Sequence, residues 1–201
     1  MILTKSIDTV KLIVMLDVDG RAAPAGTANG DGSSAAAVGL RRRRCRAAPA
    51  WPTRRLLALA TRYAGLVEPW AQASDLALLE RRYELLDRTA DFELWLIHWP
   101  TDGGLVLHDH GGSSGAFHVV SGALDETSTT RPGHALHQQR MVRSDGKSFG
   151  PDYVHSVANS EATVATSIHA YSPPLTSMNF YETSPAGLVL SRVETNWEGA
   201  P

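Results

Sequence analysis

The chain has 201 residues, 43% of them hydrophobic, a formal net charge of −2 and one cysteine, Cys45. That length allows one sizeable domain with residues to spare, and the near-balanced charge gives no reason to expect a nucleic-acid partner. A lone cysteine excludes an internal disulfide, a CxxC redox pair and a thiolate metal cluster.

Residues 1–50 differ in character from the rest of the chain. Ile7 to Val18 leans apolar, but Asp8, Lys11 and Asp17 interrupt it. It is too short and too polar to span a membrane. Arg21 to Ala37 is rich in Ala, Gly and Ser with scattered Pro, the composition of a linker. The run Arg41-Arg42-Arg43-Arg44 fits a solvated tail, or an overlong start, better than a targeting or anion-binding patch. No apolar core precedes a small-residue cleavage site, so no secretory leader is expected and the expected setting is cytoplasmic. The reading is a disordered N-terminal extension over 1–50 and one folded domain over 51–201, with helices within 53–88 and a β-barrel over 92–194.

From Pro52 the apolar spacing is helical. Leu56, Leu57, Leu59, Ala60, Tyr63 and Ala64 recur at three- and four-residue steps behind Thr53 as an N-cap. A second helix is expected over Ser74 to Leu86, with Leu76, Leu79, Tyr83 and Leu86 on one face and Arg81 and Arg82 aboard. From Phe92 the signals turn to strands. Phe92 to Trp99 is rich in strand formers and apolar on both sides, as a buried strand would be. Further strands are expected at Leu105–His108, Ala116–Ser121, Gly122–Thr129, Ala135–Val142, Val154–Ala158, Ala162–Tyr171, Met178–Glu182 and Gly187–Val193. Many short strands separated by Gly, Pro and Asp turns predict a mainly β domain, a barrel or sandwich.

Within that pattern Leu107-His108-Asp109-His110-Gly111-Gly112 carries two imidazoles on alternate residues. In a strand, alternate side chains share a face at roughly 6.5–7 Å, close enough to converge on one ion. A third imidazole, His155, lies in Tyr153-Val154-His155-Ser156-Val157-Ala158-Asn159. The working claim is that His108, His110 and His155 hold a metal inside the barrel, with Asp109 pointing away. The two-part pattern resembles the signature of the cupin superfamily, which implies a jelly-roll barrel around the metal. Typical cupins place a Glu seven positions ahead of the closing glycine, here Gly122, and that position is Gly115. Three neutral imidazoles leave an ion's full charge in place and suit an anionic ligand such as a thiolate.

Ser167-Ile168-His169-Ala170-Tyr171 puts hydroxyl, imidazole and phenol on alternate residues of an expected strand. If that face points inward, the three can form a hydrogen-bonded chain that fixes the His169 tautomer and aims the Tyr171 hydroxyl. A polar outer face is the competing reading. Ser172-Pro173-Pro174 comes next, and its first bond can be cis. His98 and His118 are expected on outer strand faces, and His134 and His137 in solvent.

The histidines, the Ser167-His169-Tyr171 triplet and the Ser-Pro-Pro together resemble the cysteine dioxygenase family of thiol dioxygenases, over roughly residues 75–182. The resemblance implies Fe(II) held by His108, His110 and His155. It implies addition of both atoms of O2 to the sulfur of cysteine, giving cysteine sulfinic acid. It implies Tyr171 as the active-site phenol with Ser167 and His169 orienting it, and Arg82 as the partner of the substrate carboxylate. A guanidinium fork suits a carboxylate in any case. Animal members carry a cysteine that crosslinks to the tyrosine; Gly115 stands there, so no Cys–Tyr thioether is expected. Met178 replaces another cysteine near the substrate. The expected partners are a small thiol and O2, with no nucleic acid, no membrane and a monomer or weak homo-oligomer. The alternatives are a dioxygenase for 3-mercaptopropionate or another small thiol, a non-catalytic ligand-binding cupin, and a zinc hydrolase, which lacks an evident general base.

Overall fold

Leu56, Ala60, Tyr63, Ala64 and Val67 form one buried stripe along helix α1, Thr53–Ala71, and this stripe is what the helix contributes to the domain. The computed structural model of the chain describes residues 50–71, 79–130 and 135–195. By its contacts the chain divides into Met1–Ala47, outside the described residues, and Ala48–Pro201, which holds every element below. The expected N-terminal extension, the arginine run, Cys45 and His134 all fall outside the described residues.

Strands β1 (Arg82–Arg88), β2 (Glu93–Trp99), β9 (Ala165–Ser172), β4 (Ser114–Ser121) and β7 (Gly146–Phe149) form one antiparallel sheet in that order. The other sheet runs β11 (Gly187–Thr195), β10 (Ser177–Ser184), β3 (Gly104–His108), β8 (Val154–Ala158), β5 (Ala123–Thr129) and β6 (His137–Val142). The core between them takes Trp95, Ile97 and Trp99 from β2, Phe117 and Val119 from β4, Leu124 from β5, Val157 from β8 and Phe180 from β10. The alternate residues of the first sheet, including Leu94, Ala116, Ile168 and Ala170, are buried on its other face, and α1 packs on β4, β9 and β7. That double burial is why Phe92 to Trp99 reads as mostly apolar on both faces, with only Glu93 and His98 breaking the run. Among the described residues no helix is long and apolar enough to cross a membrane.

The second predicted helix is corrected. Its first part, 74–78, lies outside the described residues, but Arg82–Arg88 is strand β1, paired antiparallel with β2. The helical spacing misled because Leu79 is 94% exposed. A register shift between Leu85 and Asp87 also buries Leu86 while its neighbour Leu85 packs on the core. A two-residue period plus a bulge imitates three- and four-residue steps, and pairing with β2 decides the outcome. Strand β7 was not expected: Gly146-Lys147-Ser148 has little strand character, and only pairing with β4 extends it.

Candidate metal centre and active site

His108 ends β3 and lies directly opposite His155 on β8. His110 sits two residues beyond the strand, in a turn whose Gly111 and Gly112 have φ of 59° and 90°, the left-handed region glycine tolerates. A Cβ on Gly111 would also collide with the Ser177 backbone. Asp109 turns away from the histidines. Its carboxylate accepts hydrogen bonds from the Gly111 amide at 2.8 Å, Asn179 Nδ2 at 2.9 Å and the Tyr181 hydroxyl at 2.6 Å, fastening the turn to β10.

The candidate ligand atoms of His108, His110 and His155 lie within 4.8 Å of one another, and all three residues are buried. Their hydrogen bonds set the tautomers. His108 Nδ1 donates to the Val106 carbonyl at 2.8 Å, and His155 Nδ1 donates to Glu126 Oε1 at 2.9 Å. Each ring thereby keeps the Nε2 lone pair free. Both nitrogens of His110 and Nε2 of His155 are buried without any partner. Buried polar atoms are seldom left so, and a shared cation would satisfy them. Burial, reinforced by the neighbouring rings, holds the His108 and His110 imidazoles well below the usual histidine range. They are neutral donors at neutral pH. A set of neutral imidazoles fits Fe(II) and several other first-row divalent ions.

Gly115 is explained by its partner across the ladder. It pairs with Phe149, and a Cβ on Gly115 would come within 2.5 Å of the Phe149 ring and 3.0 Å of Tyr171 Cδ1. Phe149 stacks on His110 at 4.9 Å and on Tyr153 at 4.8 Å, filling the space a carboxylate or thiol would need. Gly115→Cys should therefore cost about 1–3 kcal/mol by overpacking. Trimming the ring in Gly115→Cys/Phe149→Ala should relieve that clash. Chemical denaturation of both variants and of Phe149→Ala alone checks it, through a favourable coupling between the two sites.

The Ser167-His169-Tyr171 face of β9 points into the barrel. Trp99 Nε1 donates to Ser167 Oγ at 2.9 Å, Ser167 Oγ meets His169 Nε2 at 2.9 Å, and His169 Nδ1 meets the Tyr171 hydroxyl at 3.2 Å. Read from the Trp99 donor, the polarity runs outward: Ser167 donates to Nε2, Nδ1–H donates to the phenol oxygen, and the Tyr171 proton is left for the pocket. Burial pushes His169 down to about 3 and Tyr171 far above the usual phenol range, so both are neutral. Trp99 was not singled out in the sequence; a tryptophan beside a buried serine on a neighbouring strand is its only signal.

The pocket beside the histidines is walled by Tyr83, Trp95, Trp99, Leu175 and Met178. Leu175 is fixed by its amide, which donates to buried Glu93 at 3.1 Å after the cis Ser172–Pro173 bond. Arg82 is not brought here. It is exposed, opposite His98 on β2, with its side chain on the face away from the core. Arg81, two residues before inward-facing Tyr83, is the half-buried one. Its guanidinium lies 4.7 Å from the Tyr83 ring centre and 5.3 Å from that of Trp99, and Nη1 donates to the Gly104 carbonyl at 3.1 Å. Its Nε is buried without a partner, and burial pulls the group down to about 10, still a cation at neutral pH. His118 meets Thr61 of α1 and His98 meets Thr166, both outside the core.

The family model described as cysteine dioxygenase type I matches residues 52–184. The chain belongs to this family. Cysteine dioxygenases of this type are cupin-barrel enzymes of the dioxygenase class, in keeping with the two antiparallel sheets and three buried histidines. Among solved structures the chain is similar to BH2720 from Bacillus halodurans, at 14% identity over 62% of this chain and 83% of that one, TM-score 0.46. It is also similar to TT1209 from Thermus thermophilus, at 13% identity over 51% and 93%, TM-score 0.43. A protein from Klebsiella pneumoniae subsp. pneumoniae with a double-stranded β-helix domain matches at 17% identity over 58% and 89%, TM-score 0.42.

Proposed function

We propose that the chain is an iron-dependent thiol dioxygenase that converts L-cysteine to cysteine sulfinate, the thiolate taking up both atoms of O2. The observation that carries this is the set of three buried imidazoles, His110 and His155 with unpartnered nitrogens, beside a pocket that also holds Tyr171. Held by His108, His110 and His155, Fe(II) would supply the redox chemistry and favour the thiolate form of the substrate. Arg81 would pair with the substrate carboxylate, its stacked guanidinium already oriented by Tyr83 and Trp99. Tyr171 would donate a hydrogen bond at the reacting end, its proton aimed by His169 and Ser167. Trp95, Leu175 and Met178 would keep water out.

The test is oxygen uptake by iron-loaded protein given a panel of thiols, with iron quantified in the same sample. Sulfinate from cysteine is expected. Faster turnover of 3-mercaptopropionate would move the substrate but keep the chemistry. That second reading has one observation behind it: among the described residues, those lining the pocket include no acid to meet an ammonium group. Absence of uptake with every thiol would favour a non-catalytic cupin. The two arginines separate cleanly. Arg81→Ala should lower kcat/KM about 10–150-fold, the equivalent of a charge-assisted hydrogen bond of roughly 1.5–3 kcal/mol. Arg82→Ala should stay within about twofold, as surface changes do.

A further inference from the structure

Glu126 on β5 was not singled out in the sequence, yet its side chain is wholly buried and engaged on both oxygens. Oε1 accepts from His155 Nδ1 at 2.9 Å and from the Tyr153 hydroxyl at 2.9 Å. Oε2 accepts from Lys147 Nζ at 2.7 Å. Lys147 reaches it from the opposite sheet, on β7.

The three histidines are backed differently. His108 rests on a backbone carbonyl, His110 on no hydrogen-bond partner, and His155 on a carboxylate. A carboxylate behind an imidazole fixes its tautomer, orients the ring and makes it a stronger donor. We infer that Glu126 is a positioning residue for the metal centre, holding His155 with Nδ1 protonated and Nε2 free. This rests on the proposed metal site. Gly115 removes the carboxylate ligand that typical cupins carry, and Phe149 blocks its return. Glu126 places an acid next to the centre by a different route. Without it, the other His155 tautomer would point an N–H at the ion. Lys147 on Oε2 and Tyr153 on Oε1 hold the carboxylate in place behind His155.

The experiment measures Co(II) affinity of the full chain by anaerobic titration, with Glu93→Gln as the control. Glu93 is an equally buried carboxylate, ion-paired with Arg88 at 2.7 Å, with no bond to any histidine. Glu126→Gln should weaken Co(II) binding about 10–100-fold, the usual effect of losing such a partner. Glu93→Gln should lower the melting temperature without that loss. Parental affinity in Glu126→Gln, or an equal drop in both variants, would overturn the inference. Should Glu126→Gln not fold, ¹⁵N shifts of His155 in the metal-free parent decide: protonated Nδ1 supports it and protonated Nε2 sinks it. A parent that takes up no divalent ion would overturn the metal reading and this inference together. A parent that binds, beside a Glu126→Gln that binds as well, overturns this inference alone.

Discussion

His110→Ala is expected to abolish stable metal retention and bring oxygen uptake down to the level of chelator-treated parent. His110 is the cleanest ligand to remove, because neither ring nitrogen has a hydrogen-bond partner in the protein. Its loss orphans no donor or acceptor. His155→Ala would free one side of Glu126, and His108→Ala would leave the Val106 carbonyl short of a partner. The fall in affinity should exceed the roughly 10–100-fold that accompanies loss of a partner behind a ligand. Metal analysis and thermal melting on one preparation check both halves of the expectation: metal absent, cooperative unfolding retained. Retained iron would show that the three histidines do not act as a set. In the parent, chelation followed by Fe(II) should restore uptake.

The second large effect belongs to Tyr171. Tyr171→Phe should reduce kcat/KM by about 10²–10³-fold, the range seen when one aimed donor is deleted from a preorganised site. Metal content should not change. The hydroxyl is the end of a chain that starts at Trp99, and every member before it is buried. Its deletion leaves His169 Nδ1 without a partner, which should cost about 1–3 kcal/mol of stability. Ser167→Ala should act in the same direction with a smaller effect, since it loosens the aim and keeps the donor. Equal activity in parent and Tyr171→Phe would remove the phenol from the proposed chemistry. Because Tyr171 is held far above the usual phenol range by burial first and Glu93 second, no loss of its proton should appear in the pH profile below pH 10.

The Ser-His-Tyr triplet was legible because strand geometry is strict, whereas His108 and His110 were rightly paired for a different reason: β3 ends at His108, and the Gly111-Gly112 turn, not strand alternation, brings His110 alongside. A period of two puts Ser167, His169 and Tyr171 on one face whatever the rest of the fold does. The strands from Phe92 onward were legible for the same reason, to within a few residues at their ends. What escaped was decided by phase or by pairing. Read as a helix, the segment gives Arg82 as the carboxylate partner and leaves Arg81 as a solvated charge. Read as an edge strand, they face opposite ways, and only Arg81 shares the side of Tyr83. Glu126 was hidden in Leu124-Asp125-Glu126-Thr127, where nothing local says which acid is buried. Continuing the alternation from core residue Leu124 would have placed Glu126 inside. Phe149 was missed because β7 exists through its neighbour β4 and not through its own composition.

Strand β9 has no side turned to water: all eight of its residues are buried. Its odd-numbered positions from Ser167 to Tyr171 make up the relay, and Ile168 and Ala170 between them sit on the sheet face that α1 covers. A helix lying wholly outside the barrel therefore sets how the back of that strand is seated. Sequence drift along the Leu56–Val67 stripe bears on the seating of the proton donors as well as on stability.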